Sequence, residues 1–226
     1  MTQPPRPAPS YSALAQSLAP LGLMIYGTVQ PALVPCPGFH TGTLILIGTD
    51  ATFWQIFQTS PEARDGAPDP IDRWSQRQID ALAQAYGATA YYPFGGPPYQ
   101  PFVAWALASG RAFTSPSHML VHDAVGMMIS YRGALHFDRV IDSPAPPLAQ
   151  SPCLSCRDRP CLTTCPAHAL VDEGPYNLSA CHAYLDAPQG AACLTSGCLA
   201  RRACPLSAGA GRAEAQTAHH MSYFHR

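Results

Sequence analysis

The sequence Cys153-Leu-Ser-Cys156-Arg-Asp-Arg-Pro-Cys161-Leu-Thr-Thr-Cys165-Pro166 places four cysteines close together and ends them in a Cys-Pro pair. A second run, Cys193-Leu-Thr-Ser-Gly-Cys198-Leu-Ala-Arg-Arg-Ala-Cys204-Pro205, begins forty residues after the start of the first, and Cys181 lies between the two. A proline after the last cysteine of a run fixes φ and turns the chain away, so that this thiol can reach a more distant site. Clustered cysteines of this kind are typical of metal binding.

The two runs resemble the ligand set of two-cluster ferredoxins, in which three cysteines of a run hold one iron–sulfur cubane and the fourth, before proline, binds the other. The usual spacing is C-x2-C-x2-C-x3-C-P. Here the first run reads x2, x4, x3 and the second x4, x5, so that the loops are longer but no ligand is lost. The resemblance implies two [4Fe–4S] clusters with crossing ligands. It assigns one cluster to Cys153, Cys156, Cys161 and Cys204, and the other to Cys165, Cys181, Cys193 and Cys198.

Other uses of these cysteines fit the pattern less well. A disulfide framework suits small secreted domains, whereas this chain opens without a secretory signal. Zinc sites usually consist of two separated C-x2–4-C pairs rather than runs of four. Cysteines that serve only as packing residues of a core would not be grouped this closely along the sequence. A zinc ion, or one cluster only, stays open as an alternative.

Composition limits the partners that we expect. The 226 residues carry a net charge of −1, and all 13 basic residues are arginines. Without a basic face, nucleic-acid binding has no electrostatic support. No apolar run reaches the 18 residues of a membrane span. Because thiolates that carry clusters need a reducing compartment, we expect a cytoplasmic protein.

The order of the predicted elements gives an α+β domain followed by the cysteine region. Residues 1–9 are proline-rich and predict a disordered lead-in, 10–141 the α+β domain, 142–152 a proline-rich linker, 153–207 the cysteine domain and 208–226 a tail. Within the α+β domain we predict helices at 10–21, 53–60, 70–87 and 102–108, strands at 23–27, 43–48 and 89–94, and a hairpin of 119–123 with 126–136. His219, His220 and His225 are predicted to be solvated.

The N-terminal part resembles vitamin B12 processing proteins of the CblC type, whose fold is similar to that of flavin nitroreductases. The similar pieces are Leu23 to Gly27, Thr43 to Gly48, Asp69-Pro-Ile-Asp72, and Leu120-Val-His122 running through Gly126 into Tyr131-Arg-Gly133. The fold implied is a nitroreductase-like or CblC-like mixed sheet with helices, followed by a small ferredoxin-like domain with two clusters. In this resemblance the first domain holds a cobalamin, or less readily FMN.

The cysteine region also resembles epoxyqueuosine reductase, which joins a B12-binding domain of that class to a two-cluster ferredoxin module. Cys181-His-Ala-Tyr-Leu185 is similar to the segment around its fifth cysteine. That family carries an acidic proton donor before the hairpin, whereas Phe113-Thr-Ser-Pro-Ser-His118 has no Asp, Glu or Lys. The specific reaction on transfer RNA is therefore not expected.

The candidate cofactor-binding residues are Gly95, Gly96, Tyr99, His122, Tyr131 and Arg132. The glycines would let a flat ring approach the backbone, or they form a tight connection. His122 on a strand is either a ligand or a satisfied core histidine. Tyr131 and Arg132 point to opposite faces of a strand, so one of them at most faces a pocket. Cys36 lies outside the ligand set and is either a redox thiol or inert.

These observations predict an iron–sulfur electron-transfer oxidoreductase that reduces or processes a cobalamin, such as a cobalamin reductase or dealkylase. The alternatives are a ferredoxin-like carrier that docks a redox partner protein without a second cofactor, a flavin-dependent reductase, and a protein with structural clusters. We further expect a corrinoid ligand and a homodimer, and we expect no binding to nucleic acid or to a membrane.

Overall fold

A computed structural model of the chain describes residues 10–225. They form a mixed α+β structure that divides into two compact units. The first unit comprises the described residues of Met1–Arg111 together with Ser130–Pro146, and the second Ala112–Ile129 together with Pro147–Arg226. The chain therefore passes from the first unit to the second, returns, and leaves again.

This division differs from the linear order predicted from the sequence. Residues 112–129 belong with the cysteine region rather than with the N-terminal part. The boundary between the units near 146 falls inside the segment 142–152, which was predicted as a linker. The predicted lead-in 1–9 lies outside the described residues.

The strands are β1 (Leu23–Val29), β2 (Thr43–Thr49), β3 (Thr89–Tyr91), β4 (Ala112–Thr114), β5 (Leu120–His122) and β6 (Tyr131–Phe137). The helices are α1 (Tyr11–Leu18), α2 (Phe53–Gln58), α3 (Pro70–Tyr86), α4 (Phe102–Ala108), α5 (Pro160–Thr163), α6 (Leu178–Asp186), α7 (Ala191–Ser196), α8 (Leu199–Ala203) and α9 (Glu214–Phe224). Short 3-10 turns connect several of them.

A four-stranded antiparallel sheet with the order β1-β2-β6-β3 forms the centre of the first unit. All seven residues of β2 are buried, as its continuous apolar run predicts for a strand inside a sheet. Leu14, Ile47, Trp74, Ile79 and Leu135 belong to one apolar core between this sheet and helices α1, α2 and α3.

Local signals in the sequence account for two of these helices. Ser10 caps α1 by accepting a hydrogen bond from the Ala13 N–H at 3.1 Å, and Gly22 ends the following turn at φ 68°. Helix α3 begins at Pro70 and ends before Gly87, also as expected. Asp69 before Pro70 would be expected from its residue type to cap this helix, but that expectation is wrong, because Asp69 takes a left-handed conformation with φ 50° and its side chain makes no capping hydrogen bond.

The predicted hairpin of residues 119–123 with 126–136 is not formed. A tight turn does exist, since the His122 N–H donates to the Gly126 carbonyl at 2.9 Å and the Gly126 N–H to His122 at 3.0 Å. The second strand does not follow this turn, because β6 begins only at Tyr131 and pairs with β2 and β3 in the first unit. β5 pairs with the short β4 in the second unit.

The predicted tail contains a helix. Residues 214–224 form α9, which packs on α7 and buries Gln216, Thr217 and Met221. The prediction of solvated histidines is wrong for His225, whose side chain is 15% exposed and whose Nε2 lies 3.0 Å from Asp186 Oδ1. It is also wrong for His220, whose Nε2 atom is buried. No helix within residues 10–225 has the length and apolar character needed to cross a membrane.

Candidate functional site

Four cysteines line one cavity of the second unit, with a volume of about 270 Å³. They are Cys153, Cys156, Cys161 and Cys204. A 3-10 turn that starts at Pro152 presents Cys153, and the Ser151 side chain caps this turn by accepting from the Cys153 N–H. Cys161 lies in α5, and Cys204 follows the last residue of α8.

The other four cysteines of the two runs line a second cavity of about 170 Å³. They are Cys165, Cys181, Cys193 and Cys198. Cys181 is presented by α6, whose N-cap Asn177 accepts from the Ala180 N–H at 2.9 Å, and Cys193 by α7. Cys198 is the N-cap residue of α8, so this short helix has one cysteine of each cavity at its two ends.

The cysteine before proline in each run belongs with the other run. Cys165, before Pro166, lines the cavity of the second run, and Cys204, before Pro205, lines the cavity of the first. This grouping is the one that the resemblance to two-cluster ferredoxins assigned. That either group holds a cluster stays a prediction.

The size of each cavity bears on what its four cysteines could hold. Among the described residues no three His, Cys, Asp or Glu side chains are arranged to hold a single metal ion. A tetrahedral zinc with Zn–S bonds of about 2.3 Å would bring its sulfurs within about 4 Å of one another. Each cavity is instead more than ten times the roughly 10–15 Å³ that one water needs. Four thiols around such a space suit a metal–sulfur cube.

Burial disfavours ionisation of half of these eight thiols. Burial is the main cause that raises the pKa of four of them, and negative charge on neighbouring sulfurs raises it further. These four are Cys153, Cys161, Cys181 and Cys193. A bound cation reverses this effect, since it stabilises the thiolate form.

Hydrogen bonds to the sulfurs oppose the effect of burial and lower these pKa values. The Ser117 side chain lowers the pKa of Cys161 in this way, the Tyr176 side chain that of Cys181, and the Leu199 backbone N–H that of Cys193. Ser117 is itself 3.0 Å from the Ser115 hydroxyl. Such donors are the means by which proteins adjust the potential of an iron–sulfur cluster.

The sequence analysis did not identify the residues that line the two cavities beside the cysteines. Ser115 and Pro116, which line the first cavity, lie in the segment that was noted only for its lack of an acidic residue. Tyr176 and His220, which line the second, lie outside any recognisable motif. No spacing rule connects residue 117 or 176 to a distant cysteine, so only the folded chain reveals them.

The candidate cofactor residues are divided between the units. Gly95, Gly96, Tyr99, Tyr131 and Arg132 lie in the first unit and His122 in the second. His122 is fully buried, and its Nδ1 accepts from the Ala124 N–H at 3.1 Å. The structure therefore favours the interpretation of His122 as a core histidine.

Arg132 is buried among groups of its own unit. Its Nη1 lies 3.2 Å from Asp72 Oδ1, and its guanidinium lies 5.7 Å from the centre of the Phe94 ring. Burial lowers the pKa of Arg132, and the Asp72 carboxylate opposes this. An arginine held in this way has less freedom to bind a cofactor phosphate or carboxamide than the sequence suggested.

The remaining candidates of the first unit differ in exposure. Tyr131 packs edge-on against Tyr26, with ring centres 5.3 Å apart. Tyr99 is 66% exposed, and its ring lies within 3 Å of the position that a Cβ on Gly96 would occupy. Glycine at 96 is therefore needed for a tight connection, which is the second of the two interpretations given for these glycines.

Cys36 is buried, and burial raises the pKa of its thiol, as expected of an inert cysteine.

No protein-family model matches the chain, and no curated protein shows significant sequence similarity to it.

Proposed function

We propose that this protein is an iron–sulfur electron-transfer oxidoreductase that carries two [4Fe–4S] clusters in the cytoplasm. The observation that carries the proposal is the division of eight cysteines into two cavities, with the pre-proline cysteine of each run in the cavity of the other. Random placement of structural thiols has no reason to produce two sets of four. When bound, the clusters supply one-electron transfer.

In this proposal the chain orients and shields the redox groups and performs little acid–base chemistry. Ser117 lowers the pKa of Cys161 and Tyr176 that of Cys181, so these two side chains would stabilise added negative charge on the sulfurs. Cys161, Cys165 and Cys193 are less than 9% exposed, so solvent access to the groups that they bind is restricted. We also propose that the N-terminal part has a CblC-like or nitroreductase-like fold and that the cysteine region has a ferredoxin-like fold.

Iron analysis of the anaerobically purified protein tests the proposal. We expect about eight irons and eight acid-labile sulfides per chain. Cys198→Ser should lose the group of the second cavity and retain about four irons. Cys36→Ser is the matched control, because Cys36 lies outside both cavities, and it should retain about eight. One zinc per chain, or no bound metal, would contradict the proposal.

The proposed acceptor is a cobalamin bound by the first unit, which rests on the CblC-type resemblance. Adding cob(II)alamin, and in a separate titration FMN, to the reduced protein should change the corrinoid or flavin spectrum at micromolar concentration.

A second candidate is a ferredoxin-like carrier that binds a redox partner protein and no second cofactor. The engagement of Arg132 by Asp72 and Phe94 favours it, because the most promising polar group for a corrinoid is already used. Absence of any spectral change with either ligand, together with eight irons per chain, would establish the carrier.

A further inference from the structure

The C-terminal helix α9 forms one wall of the second cavity. Thr217, His220, Met221 and Phe224 all line that cavity together with its four cysteines. Their spacing of three and four residues places them on one face of the helix. Met221 is 7% exposed and packs in an apolar cluster with Leu185 and Cys193. The helix therefore covers the site and is not an appended tail.

Two contacts fix α9 over the cavity. Gly197 has φ 87°, and a Cβ at this position would lie 1.9 Å from Thr217 Cγ2, so glycine permits the close approach of α9 to the turn before Cys198. At the other end, His225 Nδ1 lies 2.8 Å from His182 Nδ1, and His225 Nε2 lies 3.0 Å from Asp186 Oδ1. Both partners belong to α6, the helix that presents Cys181.

The two cavities differ in one of the polar residues that line them. The second is lined by His220 and Tyr176, together with Arg201. The lining of the first, as far as the structure describes it, includes serines and Arg159 but no histidine. An imidazole N–H inside a largely apolar space is a strong hydrogen-bond donor to any anionic group placed there.

We propose that His220 is a contact residue of the redox group in the second cavity, to which its imidazole N–H donates a hydrogen bond. This rests on the proposed function. The donor stabilises the more negative, reduced form and raises the reduction potential of that group.

An EPR-monitored redox titration of the holo-protein under anaerobic conditions tests this. His220→Leu removes the donor, and we expect the potential of one cluster to fall while the other stays unchanged. His220→Gln retains an N–H donor and should restore most of the shift. His219→Leu, next to it but absent from the cavity lining, is the control and should titrate like the wild type.

The outcomes separate this inference from the proposed function. A wild type with about eight irons, combined with an unmoved potential in H220L, overturns the role of His220 and leaves the proposed function intact. If H220L and H220Q both lose about four irons and H219L does not, His220 acts through packing and the donor role is wrong. A wild type without clusters overturns both.

Discussion

The ion pair of Glu62 with Arg77 should stabilise the first unit by an amount that can be measured directly. Glu62 is 8% exposed, and its carboxylate accepts from Arg77 Nε at 2.5 Å and from Nη2 at 3.0 Å. Glu62→Gln removes the charge and preserves the size of the side chain. We expect this substitution to lower the free energy of unfolding.

The magnitude follows from the exposure of the two partners. A hydrogen bond to a charged group contributes about 1.5–3 kcal/mol when it is shielded from water. The Arg77 side chain is 50% exposed, so solvent screens part of this. We therefore expect a loss of about 2 kcal/mol in total. With a urea dependence of about 2 kcal/mol per molar, the midpoint should fall by about 1 M.

At acid pH the difference in stability between E62Q and the wild type should disappear. Hydrogen bonding by Arg77 is the main cause that lowers the pKa of Glu62 in the folded protein. A depressed folded-state pKa means that the stabilisation is complete above the unfolded value of about 4.3 and is lost as the pH falls through the folded value. The urea midpoints of E62Q and the wild type should therefore converge below about pH 4.

Tryptophan fluorescence is the suitable assay, because the three tryptophans of the chain, at 54, 74 and 105, all lie in the first unit. Asp65→Asn is the matched control. It removes the pair with Arg73 at 2.7 Å, in which both side chains are more than one-third exposed, and such pairs contribute little. Equal midpoints for E62Q and the wild type, or a larger loss in D65N, would refute the reasoning.

Three further predictions concern other contacts. Gly126→Ala should speed the loss of cluster absorbance in urea, because Gly126 has φ 57° and a Cβ would lie 2.3 Å from the Ser207 backbone nitrogen; unchanged kinetics would contradict this. Asp72→Asn should destabilise the first unit by about 1–3 kcal/mol, measured by the same fluorescence assay, because it removes a charged partner from buried Arg132. Anaerobic removal of the proposed metal with a chelator should reduce the helical circular dichroism, because α5, α7 and α8 are only four to six residues long and contain or adjoin the cysteines proposed as ligands; an unchanged spectrum would show that they form without metal.

Prediction from the sequence succeeded where the signal is local. The helix predicted at 10–21 and the strand predicted at 43–48 agree with the structure within a few residues, because Ser10, Gly22 and the apolar run of β2 act locally. The division of the eight cysteines into two groups of ligands came from the resemblance to two-cluster ferredoxins, and it stays a prediction. These features depend on chemistry that neighbouring residues impose on one another.

The errors arose where distant residues determine the structure. Gly126 and two flanking apolar segments suggested a hairpin, but the partners of β6 lie in β2 and β3, far away in sequence. Helix α9 has a polar sequence with a weak apolar face, and its packing on α7 stabilises it. The positions of Tyr176 and His220 beside cysteines likewise follow from tertiary packing alone.

Helix α8 has a consequence for how this chain tolerates change. Cys198 precedes the helix and Cys204 follows it, so a single turn and a half of backbone spans from one set of thiols to the other. At 1.5 Å per residue these two positions are about 9 Å apart along the axis. One extra residue would rotate everything after it by about 100° and aim the final thiol at solvent. Exposed positions of α8 can therefore vary in side chain, whereas its length cannot.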